Sequence, residues 1–347
     1  NMGSMYWHAH EMLWGFIATI AVAFLLTASA TWTGRHPSKG KHLAGITALW
    51  IVARIGYLIP GQAAFIVAAL AEIGFFAMAA IALAKVIFGA KSKQNYPVVY
   101  ALVGLGLANL AYLLAIYLHG YHWIMKGYHI GLLLMAFIAL LVGRRVIPFF
   151  ASRRVQDVEI PRHEKSGKYQ LIITALSIAL LVFGLHKIAA IALVALVAIT
   201  WFQLFQWKPM KVIHMPLLWV LYVSYFLLGL GLLFAALFFA EIQLPMNLRP
   251  AAFVHIIGMG GFAVMIMGMI TRTALGHTGR PLEASRLMVA SYVLMVLAAI
   301  FRLVALWTGN AMGSLHLTAS LWILAFIFYL WQFTPILTSP RVDGNPG

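Results

Sequence analysis

The chain of 347 residues contains no cysteine. That excludes disulfides, iron–sulfur clusters and thiolate-ligated haem, and it leaves histidine as the strong soft-metal ligand with methionine as a weaker one. Charge is scarce as well. Only 9% of residues are charged and eight are acidic, against 24 Lys and Arg, for a formal net charge of +16. No long basic run accompanies that excess. The cations are scattered through short segments between apolar stretches, so lipid headgroups rather than nucleic acid are the matching counterions. Phosphate-loop and dinucleotide-binding glycine patterns are missing, and so is any arrangement resembling a hydrolase triad. A basic, apolar signal sequence is also missing: the chain opens at Asn1 and runs into apolar sequence almost at once, so we expect one further helix to precede it.

What is present in quantity is hydrocarbon. With 63% hydrophobic residues and a mean hydropathy of +0.93, the chain is a polytopic all-α membrane protein, organised as a single transmembrane helical domain over residues 1–347. Apolar runs set against polar breaks predict eleven spans, at 11–31, 43–60, 62–88, 96–118, 127–148, 169–186, 188–206, 214–240, 250–271, 286–308 and 315–337, or twelve with the expected preceding helix. Lys and Arg alternate with them. One set of loops and span ends holds nineteen cations, from Arg35 to Arg341, and the other holds only Lys126, Lys187 and Arg249. By the positive-inside rule this places Asn1 outside and Gly347 in the cytoplasm.

That topology sorts the thirteen histidines. His8, His10, His119, His122, His129, His186, His255 and His316 fall towards the outer face; His36, His42, His163, His214 and His277 fall on the cytoplasmic side. His10, His129 and His255 introduce the first, fifth and ninth spans, four apart, and each of these spans runs to a basic end (Arg35, Arg144, Arg272). The spacing points to a threefold repeat of four-helix arcs, with His8, His10, His129 and His255 as metal ligands. An ionisable cluster at the mouth of a membrane helix is costly unless something binds it. Histidines two apart project about 200° apart on a helix but to one side of an extended segment, so His8 and His10 serve two centres or one. The alternative is a pair of interfacial histidines bonded to headgroups. Glu11, next to them, is placed to orient an imidazole.

His255 and Met259 share a face at α-helical spacing, and Gly258, Gly260 and Gly261 admit either a flat macrocycle or a neighbouring helix. Arg54 in the second span and Glu72 in the third both come to about mid-membrane at 1.5 Å per residue, as a structural ion pair or, for Glu72, part of a proton path. Arg302 lies nearer the outer face, where its fork suits a carboxylate such as a haem propionate, unless it snorkels to the interface. The cytoplasmic stretch Thr271–Arg280, which includes His277, is dense in donors and glycine and resembles a specific anion or partner site more than a plain connector.

Several of these stretches are recognisable together. Trp7-His8-Ala9-His10-Glu11-Met12 with Gly15-Phe16, Trp32-Thr33-Gly34, Arg272-Thr273-x-Leu275-Gly276-His277-Thr278-Gly279-Arg280 and the ending Pro335-Ile336-Leu337-x-x-Pro340-Arg341-x-Asp343-Gly344-x-Pro346-Gly347 resemble the NnrS family of bacterial inner-membrane proteins, from first residue to last. The resemblance implies twelve helices, haem (of the b type) and copper as cofactors, and a role in the response to nitric oxide and nitrosative stress during denitrification. With a twelfth helix restored, the histidine-bearing spans become two, six and ten, as in subunit I of haem–copper oxidases. In that likeness His8 or His10 with His255 holds a haem, and His129 contributes to a second metal. The chain departs from the oxidase pattern by lacking a His-His pair on the next helix; His119 and His122 are the nearest substitutes.

The function expected is a membrane haem protein, with copper, that binds nitric oxide or relieves nitrosyl-iron damage. Two alternatives stand beside it. One is a nitric oxide reductase fed by quinol or a cytochrome; the other is a transporter or metal-handling protein with midplane charges.

Overall fold

The computed structural model describes residues 2–155, 159–242, 250–305 and 311–344. Arg249, counted above in the topology, and Pro346 and Gly347, part of the closing motif, lie outside the described residues. Among those described there are helices and no strands. In chain order they are α1 (Ser4–Thr33), α2 (Lys41–Leu58), α3 (Gln62–Gly89), α4 (Tyr96–Tyr117), α5 (Tyr121–Ser152), α6 (Glu164–Val182), α7 (His186–Gln206), α8 (Pro216–Phe239), α9 (Pro250–His277), α10 (Arg286–Val304) and α11 (Ala311–Leu337).

Each predicted span falls on one of these helices, the tenth as far as Val304, with 306–308 outside the described residues. Among the described residues, nine helices are long and apolar enough to cross a membrane. The two outside that set are α2 and α6, of 18 and 19 residues. Both are diluted by charge: Lys41 and Arg54 in one, Glu164, Lys165 and Lys168 in the other. The breaks between helices follow from backbone chemistry. Gly34, Gly61, Gly184 and Gly279 take positive φ values, which only glycine adopts without a Cβ penalty, and each sits where one helix hands over to a turn.

Two departures from α-helix matter for the site. Glu11–Ala18 in α1 and Ile256–Ala263 in α9 are π-helical, eight residues each. His10 is the last α-helical residue before the first and His255 the last before the second. Such wide turns are uncommon and recur at functional positions. In the first, the looser ladder leaves carbonyls for other donors: Trp14 O accepts from Thr19 Oγ1 at 3.1 Å and Gly15 O from Trp50 Nε1 at 3.0 Å.

The chain falls into two compact units, 1–138 and 139–347. In the first, α2 and α3 form a hairpin through Ile59–Gly61, and α3 also packs on α1 and α4. Close approach rests on small residues: a Cβ on Gly131 would come within 2.5 Å of Trp14 Cζ2. In the second, α6, α7 and α8 pack in sequence, α9 lies on α8, and α10 and α11 pair as a hairpin. A buried hydrogen-bonded chain ties α6, α7 and α8 together: Gln170 donates to Thr200 and to Tyr225 Oη, and Tyr225 donates to Gln203 at 2.9 Å.

Candidate functional site

The first unit holds a polar cluster whose charged groups come from three helices, with a fourth contributing Asn109. α1 supplies His10 and Glu11, α2 supplies Arg54 and Tyr57, and α3 supplies Glu72. Arg54 bridges the two carboxylates, Nη1 to Glu11 Oε2 at 2.6 Å and Nη2 to Glu72 Oε1 at 2.5 Å. His10 bridges the same two from the other side, Nδ1 to Glu11 Oε1 at 3.2 Å and Nε2 to Glu72 Oε2 at 2.9 Å. Asn109 Oδ1 of α4 lies 3.1 Å from the same Nε2, and Tyr57 Oη donates to Glu72 Oε2 at 2.9 Å. His10 is fully buried and Glu72 is 1% exposed.

Acceptors face both ring nitrogens of His10, so the geometry calls for an N–H on each. An imidazolium and a guanidinium then balance two carboxylates, and the cluster is neutral as a whole. Neutrality matters because a buried charge without its partner is far more costly than a completed pair. Aromatic rings close the cluster from water. The rings of Trp14, Tyr57 and Tyr112 lie 5.6, 5.0 and 5.8 Å from that of His10, and Arg54 Cζ sits 5.4 Å from the Tyr57 ring centre. Tyr57 also lines a pocket of about 200 Å³ with Met2, Gly56 and Phe65, which gives the buried acids one polar neighbour near an opening.

The expected Arg54–Glu72 ion pair is present. α2 ends at Leu58, so Arg54 stands about one turn from that end, level with His10 and Glu11 near the start of α1. The role of Tyr57, Asn109 and Tyr112 around His10 was not anticipated. Their sequence signal is shared depth: each lies within about two and a half turns of a helix end on the same side as Gln62.

The second unit holds a simpler site. His255 Nδ1 lies 2.7 Å from Ala251 O, one turn back on α9, and Arg302 Nη2 of α10 lies 3.0 Å from His255 Nε2. A carbonyl fixes the proton on Nδ1 and a guanidinium requires a lone pair on Nε2. This is the tautomer and orientation of an imidazole prepared to ligate a metal through Nε2. Beside it the helix surface is open: a Cβ on Gly258 would meet nothing within 4 Å. Gly260 and Gly261 differ, because a Cβ there would come within 3.1 Å of Leu227 and Leu228 of α8 respectively. These two glycines serve helix packing. The π-helical wind also removes the α-helical spacing by which His255 and Met259 would share a face.

The remaining sequence candidates lie each within its own unit. His8 is exposed on α1, on a different side from buried His10, as residues two apart on a helix must be. His119 is exposed, takes a left-handed φ of 58°, and lines a pocket of about 220 Å³ with Tyr6 and Tyr121. His122 is exposed beside Trp123, and half-buried His129 neighbours Tyr128, whose ring meets Trp14 at 6.1 Å. His277 is exposed at the end of α9, where its carbonyl accepts from Arg341 Nη1 at 2.9 Å. Among the described residues no group of three or more His, Asp or Glu side chains is arranged to hold a metal ion.

The fit to haem or copper is thus uneven. His255 offers one well-oriented nitrogen, with Arg302 beside it able to turn to an anionic substituent. His10 offers none while its carboxylate bonds are made.

A family model described as NnrS protein matches residues 1–341 of the chain. No curated protein and no solved structure matches.

Proposed function

Because this chain belongs to the NnrS family, we propose that it is a haem protein of the bacterial inner membrane that binds nitric oxide and protects against nitrosative stress, with copper as a further cofactor. Family membership supports a membrane protein of the nitric oxide response. The observation that carries the haem reading further is the His255–Arg302 pair. His255 would ligate iron through Nε2, held in position by Ala251 O, and Arg302 would move from that nitrogen to a haem carboxylate. Haem iron, when bound, supplies a coordination position for nitric oxide. In the same reading the His8 end of α1 faces the periplasm and the C-terminus the cytoplasm, and His8 and His129 remain the candidates for a second metal.

The His10 cluster favours a second reading, a nitric oxide reductase supplied by quinol or a cytochrome. Reducing nitric oxide consumes protons as well as electrons. The cluster holds a proton on imidazole between two carboxylates, with Tyr57 linking Glu72 to an adjacent pocket. In this reading His10 and Glu72 serve proton supply rather than iron.

Optical spectra of the detergent-purified protein, oxidised, reduced, and reduced with nitric oxide, test both. Haem bands that shift with nitric oxide in the wild type and are lost in His255→Ala, while Arg302→Gln keeps haem with altered bands, are the expected result. Unchanged haem content in His255→Ala, or no haem after expression with ample haem supply, would overturn the assignment. Turnover with reduced quinol that falls in Glu72→Gln would select the reductase.

A further inference from the structure

At the end of the second unit that carries the Thr271–Arg280 stretch, a buried cation has no counter-charge among the described residues. Arg272 of α9 is 7% exposed, and its Cζ lies 3.6 Å over the ring of Phe150. Its hydrogen bond to Leu217 O is long, at 3.4 Å from Nη1, and among the described residues its buried Nε has no partner. A guanidinium carries five N–H donors, so most of this group's capacity is unspent. The neighbouring charges have the same sign. Arg154 is near enough to act electrostatically on Arg272, is itself exposed, and bonds Leu282 O at 3.2 Å. Arg280 reaches Thr278 O only at 3.5 Å. Among the described residues no carboxylate lies within ion-pair distance of Arg153, Arg154, Arg272 or Arg280. Asp343, which abuts Gly279 in the same turn, is taken by Arg341 at 2.6 Å.

We propose that Arg272 and Arg154, with Arg280, hold an oxyanion of the phosphate class, either the headgroup phosphate of an anionic lipid or free inorganic phosphate. Tetrahedral oxyanions match guanidinium forks, and two or more arginines without a carboxylate leave that match open to a ligand. Phe150 covers one face of the Arg272 guanidinium, so an anion meets its N–H edge. The depth is also right. Arg272 stands five residues, about 7.5 Å, before the end of α9, within reach of a headgroup layer. The site is independent of haem and of the His255–Arg302 pair.

The test uses the full chain in detergent. Native mass spectrometry reads retained phospholipid, and thermal unfolding reads the shift on adding phosphatidylglycerol, phosphatidylcholine or inorganic phosphate. The variants are Arg272→Gln and Arg154→Gln, with Lys41→Gln of the first unit as control. We expect stabilisation by phosphatidylglycerol and not by phosphatidylcholine, weakened roughly tenfold in apparent affinity by each arginine substitution and unchanged in the control. Equal stabilisation by inorganic phosphate, with no lipid retained and the same loss in both variants, supports the site with free phosphate as its source. Arg154→Gln, at an exposed position, keeps the test available if Arg272→Gln fails to fold. Binding of neither anion by the wild type, or binding unaffected by Arg154→Gln, overturns the proposal.

Discussion

Arg54 decides the interior of the first unit, since it is the fixed positive charge between Glu11 and Glu72. Replacing it with methionine leaves two buried carboxylates facing one imidazole. Breaking a buried pair by removing one partner costs about 3–5 kcal/mol. Arg54→Met should therefore lower the thermal unfolding midpoint in detergent sharply, whereas Lys39→Met, at an end of the chain's first turn, should change it little. Gly15 tests the same contact sterically. A Cβ there would collide with Arg54 Nη1 and come within 2.8 Å of Glu11 Oε2, so Gly15→Ala must push the guanidinium off its acids. Overpacking of this kind costs about 1–3 kcal/mol, and differential scanning fluorimetry against wild type checks it.

At the scale of elements, the two π-helical stretches and the C-terminal strap are the features to test. Arg341 pairs with Asp343 at 2.9 and 2.6 Å, donates to His277 O at the end of α9, and is followed by Val342, whose N–H bonds Thr278 O at 3.3 Å. A guanidinium on the last carbonyls of a helix satisfies acceptors that have no partner within it. The hydrogen bond from Arg341 to Asp343 raises the guanidinium pKa, so the strap stays charged at any working pH. Arg341→Gln should free the segment after Thr338 and expose it to limited proteolysis, with cleavage read by intact mass; an unchanged digest would contradict the strap. Part of the partner that the Thr271–Arg280 stretch called for is thus the chain's own end.

For the whole molecule, the absence of cysteine gives a clean topology test, because every introduced thiol is the sole reporter. Ser4→Cys should react with an impermeant maleimide in intact cells, and Ser339→Cys only after permeabilisation. Labelling of both from outside would contradict the orientation drawn from Lys and Arg.

Hydropathy, read along the chain, was enough for a multi-pass helical membrane protein and the positions of its helices, and the motifs at both ends of the chain were enough for the family. These properties are local: a helix in lipid must satisfy its own backbone, so apolar length alone reveals it. The partners of individual side chains are not local. His10, Arg54, Glu72 and Asn109 come from four helices, and their meeting depends on where each helix ends and how it is rotated. Periodicity also assumes an α-helix, and the π-helical turns after His10 and His255 break that assumption where the histidines stand. Only the tertiary structure decided that His10 is locked between carboxylates, that His255 faces Arg302 with a lone pair, and that Arg272 is buried with a donor to spare, because each depends on contacts between residues far apart in sequence.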